Sequence, residues 1–126
     1  MFKINDDLSI YLTRGDAAVI DFAVTKKDGE AYTFQPGDVV RIKVFGKKSC
    51  DSVVLQKDFP VAEAANSVEM LLTSEDTKIG ELIHKPFDYW YEVEMNPTTH
   101  PQTVIGYDED GAKLFRLFPE GKDVDE

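Results

Sequence analysis

Cysteine is nearly absent: Cys50 is the only one among 126 residues. A disulfide within the chain is excluded, and so is a zinc site built on thiolates. Histidine is scarce too, with only His84 and His100. No apolar run approaches the roughly 20 residues that cross a bilayer as a helix. The opening Met1-Phe2-Lys3-Ile4-Asn5-Asp6-Asp7 lacks the apolar core of a secretion signal, so export by that route is not expected. Basic charge is short: 14 Lys and Arg stand against 24 Asp and Glu, a net charge of −10. That field repels phosphate backbones and anionic lipid, so neither nucleic acid nor a membrane surface is an expected partner. There is no glycine-rich phosphate loop and no Gly-x-Ser-x-Gly elbow.

What is present suits one core. Hydrophobic residues make up 42% and charged residues 30%, as in an ordinary globular domain. The length is that of a single domain. Residues 1–118 are expected to form it, with 119–126 as an acidic, flexible tail. The charge is divided unevenly: residues 1–50 carry eight Lys and Arg against seven Asp and Glu, and residues 51–126 carry six against seventeen. The acidic second half is either a solubilising surface or a patch that meets a basic neighbour.

Two-residue alternation dominates the chain. It places Ile20, Phe22 and Val24 on one face of 18–25, and Val40, Ile42 and Val44 on one face of 38–45. Val68, Met70 and Leu72 repeat the pattern. The longest run, 87–95, sets Phe87, Tyr89, Tyr91, Val93 and Met95 against Asp88, Trp90, Glu92 and Glu94. In 112–118, Phe115 and Leu117 oppose Leu114, Arg116 and Phe118. Segments 8–13, 52–57 and 102–107 are weaker strand candidates. Side chains alternate between the faces of a strand, so these read as half-buried antiparallel strands. Turn signals separate them: Lys27-Asp28-Gly29-Glu30, Pro36-Gly37-Asp38, and Asp108-Glu109-Asp110-Gly111, the last read as a hairpin between the final two strands. About eight short strands predict a β-sandwich or a small barrel. Thr73 to Gly80 predicts one helical turn near 74–79, with Thr73 or Ser74 as cap and Gly80 as stop; 62–65 is a weaker candidate for another.

No constellation carries catalytic chemistry. His84 and His100 share no periodicity, and strand alternation gathers no ligand set around either. Asp108, Glu109 and Asp110 fail as an EF-hand loop, because the closing twelfth position is Pro119. Glu92 and Glu94 lie side by side on one strand rather than across a cleft, as a glycosidase pair would. Cys50 follows Lys47 and Lys48, which favour a thiolate, but its context is that of an incidental loop residue. No cofactor, metal or catalytic residue is expected. Trp90 is the feature to follow, because it faces away from the core beside Asp88, Glu92 and Glu94. An outward aromatic on a sheet is an interface anchor, a sugar platform, or a side chain covered by a loop.

The order of short motifs adds a resemblance. It runs Thr13-Arg14-Gly15-Asp16, Asp28-Gly29-Glu30-Ala31-Tyr32, and Gly37-Asp38-Val39-Val40-Arg41-Ile42-Lys43-Val44. It continues through Leu72-Thr73-Ser74-Glu75-Asp76-Thr77 and Phe87-Asp88-Tyr89-Trp90-Tyr91-Glu92-Val93 to Phe118-Pro119-Glu120. Over nearly its whole length the chain resembles the small β-sandwich proteins encoded in tail modules of phages and prophages of Gram-positive bacteria. It is similar to the N-terminal domain of the upper baseplate proteins that carry receptor-binding proteins. The resemblance implies an immunoglobulin-like antiparallel β-sandwich and a non-enzymatic structural role in the virion. The implied partners are other tail or baseplate proteins and further copies of the chain, met through edge strands and the Trp90, Asp88, Glu92, Glu94 face. Baseplate proteins continue into a linker and a distal region, whereas this sequence stops at an acidic segment, so a connector is expected rather than a receptor binder. The rival reading is a small carbohydrate-binding module.

Overall fold

The computed structural model describes residues 1–26, 28–49, 51–81, 84–106 and 111–120. Cys50 and Asp108-Glu109-Asp110 lie outside the described residues, as does most of the expected tail. Arg14 Nη1 donates to Glu120 Oε2 at 2.9 Å, which ties residue 120 to the body of the protein.

The chain is all-β, with nine strands among the described residues and no helix. They are β1 (Phe2–Ile4), β2 (Ile10–Thr13), β3 (Ala18–Phe22), β4 (Val39–Phe45), β5 (Val53–Pro60), β6 (Val68–Leu72), β7 (Phe87–Met95), β8 (Gln102–Ile105) and β9 (Lys113–Phe118). Seven form one sheet in the order β1-β2-β9-β7-β4-β5, with β8 also on β7; β3 and β6 form a two-stranded ribbon. The alternation seen in the sequence decides which side of each strand is buried. Tyr89, Tyr91, Val93 and Met95 of β7, Val40, Ile42 and Val44 of β4, and Phe115 and Leu117 of β9 form one core with Ile20, Phe22, Met70 and Leu72 of the ribbon. Phe34 closes one end, fully buried and edge-on to Tyr32 at 5.2 Å.

Three expectations need correction. The expected count of about eight strands missed β1, which is short and exposed along its length. Pairing is not wholly antiparallel: β2 runs parallel to β9, Ile10 opposite Phe115 through Thr13 opposite Phe118. The final two strands are no hairpin. Both β8 and β9 run antiparallel to β7, β8 along Val93–Met95 and β9 along Phe87–Tyr91, so they occupy successive stretches of one flank.

The one helical turn expected near 74–79 is not a helix; residues 74–77 form a hydrogen-bonded turn. Its capping is present: Asp76 N–H donates to Thr73 Oγ1 at 3.2 Å, and Thr73 N–H donates back to Asp76 Oδ2 at 2.8 Å. Propagation fails because the next residues have other partners. Thr77, fully buried, donates from its hydroxyl to Asp16 O at 2.8 Å, and Ile79 turns into the core. Gly80 then takes φ +70°, where an added Cβ would stand 2.9 Å from Tyr89 Oη. Residues 73–80 therefore lock onto the 14–16 turn, whose Arg14 donates to Ile79 O and Gly80 O. The expected turn at 62–65 is also no helix; Ala65 makes a bridge to Phe34.

Tyr91 couples the core to the β1–β2 turn by donating its hydroxyl to Leu8 O. Burial pushes its phenol well above the ordinary value of 10.0, and Tyr89 and Tyr32 are raised as well. A raised folded pKa favours the protonated form. The stability it contributes is whole below pH 10 and is lost as pH rises through the folded value. Tyr91→Phe should cost about 1 kcal/mol at pH 7 through the lost hydrogen bond. That deficit should narrow by about 1.4 kcal/mol per pH unit above 10, where the native protein alone carries the penalty. Urea melts of both proteins at pH 8, 10 and 11 check this.

Candidate functional site

The outer face of the large sheet is the side that the two-stranded ribbon does not cover. On β7 it presents Asp88, Trp90, Glu92 and Glu94, so the four candidate interface residues do share one face. Their neighbours come from cross-strand register, which alternation within one strand does not reveal. Asp88 lies opposite Arg116 of β9, Trp90 between Leu114 of β9 and Phe45 of β4, Glu92 opposite Lys43, and Glu94 opposite Arg41.

That register makes a ladder of ion pairs. Arg116 grips Asp88 with Nε at 2.7 Å and Nη2 at 3.3 Å, and its guanidinium also lies over the Tyr11 ring at 5.5 Å. Lys43 Nζ stands 3.0 Å from Glu94 Oε1 and 3.9 Å from Glu92 Oε1. The contact to the buried Glu94 Oε1 is close without being an aligned hydrogen bond, so that oxygen is balanced by charge rather than by a directed donor. Arg41 bridges to Asp58 of β5 at 2.6 and 3.0 Å, and its hydrogen bond is the main reason Asp58 is held below the usual carboxylate range. Burial pushes the Glu92 carboxyl up, the Glu94 charge adds to this, and Lys43 opposes both. The face is therefore no unpaired acidic patch: each of its carboxylates faces a cation.

Trp90 interrupts the ladder with apolar surface. Phe45 beside it is 4% exposed yet lies outside the inner core, and Leu114 is half-buried. At the β7 start, Trp90, Asp88, Arg116, Gly46, Pro86 and Phe87 line an open depression of about 410 Å³. Phe87 was expected in the core with Tyr89. It remains 50% exposed and packs edge-on to Tyr89 at 5.0 Å. The depression thus combines an indole with a paired guanidinium and carboxylate, while the Phe87 ring leans toward Tyr89.

The histidines stand apart from it. His84 is exposed before β7, and His100 is exposed after it in a separate depression with Tyr32 and Asn96. Among the described residues no three of His, Cys, Asp and Glu converge as metal ligands. Sequence reading missed a half-buried polar knot at Asp38. It accepts from Tyr32 Oη at 2.7 Å, Gln35 N–H at 2.9 Å and Asn96 Nδ2 at 3.3 Å. Burial raises its carboxyl, and these donors more than reverse that, leaving it lowered. The Pro36-Gly37-Asp38 turn signal marked the place, but the Asn96 partner is 58 residues away.

Lys43→Met tests the ladder. Removing the cation leaves Glu92 and Glu94 facing each other half-buried, at a cost of about 1–2 kcal/mol at pH 7. A carboxyl whose folded pKa is raised contributes stability below its ordinary 4.5 and loses it as pH rises through the folded value. The deficit should therefore shrink at pH 4, as read from urea midpoints at the two pH values. No protein-family model, curated protein or solved structure matches the chain, so its function rests on the chemistry of this face.

Proposed function

We propose that the chain is a non-enzymatic assembly module, a connector of a phage or prophage tail baseplate that meets neighbouring proteins through the outer face of its large sheet. The reading takes the two sheets as an immunoglobulin-like sandwich; nine short strands around one core support that. The virion setting, the baseplate partners and the homo-oligomer rest on the sequence resemblance.

One observation carries the functional reading. Trp90 sits in an apolar island framed by ion pairs already satisfied within the chain. An interface favours such an arrangement: a central aromatic contributes most of the binding energy, and pre-formed charge pairs at its rim cost no new ordering. A glycan reading has one observation in its favour, the grouping of Trp90 with Arg116 and Asp88 around one open depression. Sugar faces stack on rings, and the paired charged groups could accept and donate to hydroxyls.

Light scattering across concentration, at low and moderate salt, tests the assembly reading. A discrete oligomer is expected, and Trp90→Ala should weaken it about 30-fold, the effect of losing a hot-spot tryptophan worth about 2 kcal/mol. The variant should melt within a few degrees of the parent. Loss of folding in Trp90→Ala would place the indole in the core and remove the anchor. Saturable binding on a glycan array, lost in the same variant, would move the assignment to carbohydrate.

A further inference from the structure

The two layers are unequal. Seven strands form one sheet and two form the other, and among the described residues β3 pairs only with β6. Among the described residues the flank of β3 opposite β6 has no strand beside it and no backbone partner, which leaves its outward N–H and C=O groups open to pairing. Alongside that flank a cleft of about 220 Å³ opens between the layers. Its lining is almost wholly apolar, including Ile4, Leu8, Ile20, Phe22, Tyr91 and Ile105. An apolar cavity of about 150 Å³ accepts a benzene-sized group. This cleft therefore has room for an aliphatic side chain or two.

A strained residue stands at the mouth of the cleft. Leu8 adopts φ +71°, a left-handed conformation that costs a leucine about 1 kcal/mol or more. It is pinned there by its own N–H to Asn5 O and by the Tyr91 hydroxyl on its carbonyl. The strained leucine and Ile4 remain 39% and 43% exposed at the rim.

Charge indicates what would lie there. On the outward side of the ribbon, Asp21 of β3 stands directly opposite Glu69 of β6. Like charges in that position repel. Both are exposed, and neither makes an ion pair or a side-chain hydrogen bond among the described residues. Lys57, which reaches the ribbon, is engaged by Asp76 Oδ2 at 2.6 Å and by Leu71 O. The contrast with the outer face of the large sheet is sharp, because there each carboxylate faces a cation. Val19 and Leu71 lie next to the acidic pair, 50% and 45% exposed.

We infer that the free edge of β3 receives an extended segment of a partner protein in which apolar residues alternate with Lys or Arg. Strand addition puts successive side chains on opposite faces. The apolar ones enter the cleft beside Ile20 and Phe22, and the basic ones lie outward beside Asp21 and Glu69. A second copy of this chain is a poor occupant, since β3 against β3 would crowd two acidic pairs together. The surface lies on the other layer from Trp90, so it does not depend on the reading of that face.

The probe is the synthetic peptide acetyl-Lys-Val-Lys-Ile-Lys-Val-Lys-amide, followed by fluorescence anisotropy and by amide exchange of the intact chain. Expected are saturable binding and protection, on peptide addition, of alternate amides in 18–22 that exchange fast beforehand. The Glu-for-Lys counterpart should bind at least tenfold more weakly, and N-methylation of alternate peptide amides should abolish binding. Asp21→Lys creates an opposite-charge pair with Glu69, so it folds; it should weaken the Lys peptide at least tenfold. Trp90→Ala should leave the peptide affinity unchanged. The proposal is overturned by absence of binding, by equal affinity for the N-methylated peptide, or by protection of every amide in 18–22 in the free monomer. A concentration-dependent dimer held through β3 overturns it as well.

Discussion

The structure depends on β7 being paired along both flanks while its two faces obey opposite demands. Its inward side carries Tyr89, Tyr91, Val93 and Met95 into the core, and its outward side carries Asp88, Trp90, Glu92 and Glu94. A slip of one residue would exchange the two sets, placing three carboxylates in an apolar interior and both tyrosines outside. The ion pairs with Arg116 and Lys43 exist because that register is fixed. The Trp90 island is likewise a product of what stands beside β7 on β9 and β4.

Strands whose burial alternates were legible in the sequence. The bounds of β7 follow directly from its pattern, and β3, β4, β6 and β9 follow to within a few residues. The placing of Trp90, Asp88, Glu92 and Glu94 on a common face required nothing further. What decides how that face behaves was not legible, because Arg116 and Lys43 reach it from strands far along the chain. The same holds for the parallel β2–β9 pair and for the shared flank of β8 and β9. Asp108-Glu109-Asp110-Gly111 carries a good hairpin signal, yet the strands around it prefer β7 to each other. Local turn chemistry cannot report which strand a segment will join. At 73–80 the Thr73–Asp76 capping hydrogen bonds form without a helix, and Thr77 and Ile79 take tertiary partners instead.

The formal charge of −10 also has a location. On the outer face of the large sheet anions and cations nearly balance. On the ribbon, Asp21 and Glu69 are left opposed. An acidic composition is therefore a poor guide to where a chain is electrostatically active. Counting charges by sequence half pointed to residues 51–126 as a whole. Register separates the carboxylates that are answered on the large sheet from the pair that stands opposed on the ribbon.

The parallel pairing of β2 with β9 governs the order in which the protein can be built. These strands lie more than 100 residues apart, and β9 is also the strand that joins the β1–β2 hairpin to β7. During synthesis the hairpin is made first and has no sheet to join until residues 113–118 leave the ribosome. The apolar side chains of Ile10 and Leu12 lack their β9 partners until that strand has been made. Closing so long a loop is slow, and the exposed interval favours association with other chains. A truncation that removes β9 would thus orphan β1 and β2 as surely as it would bare one flank of β7.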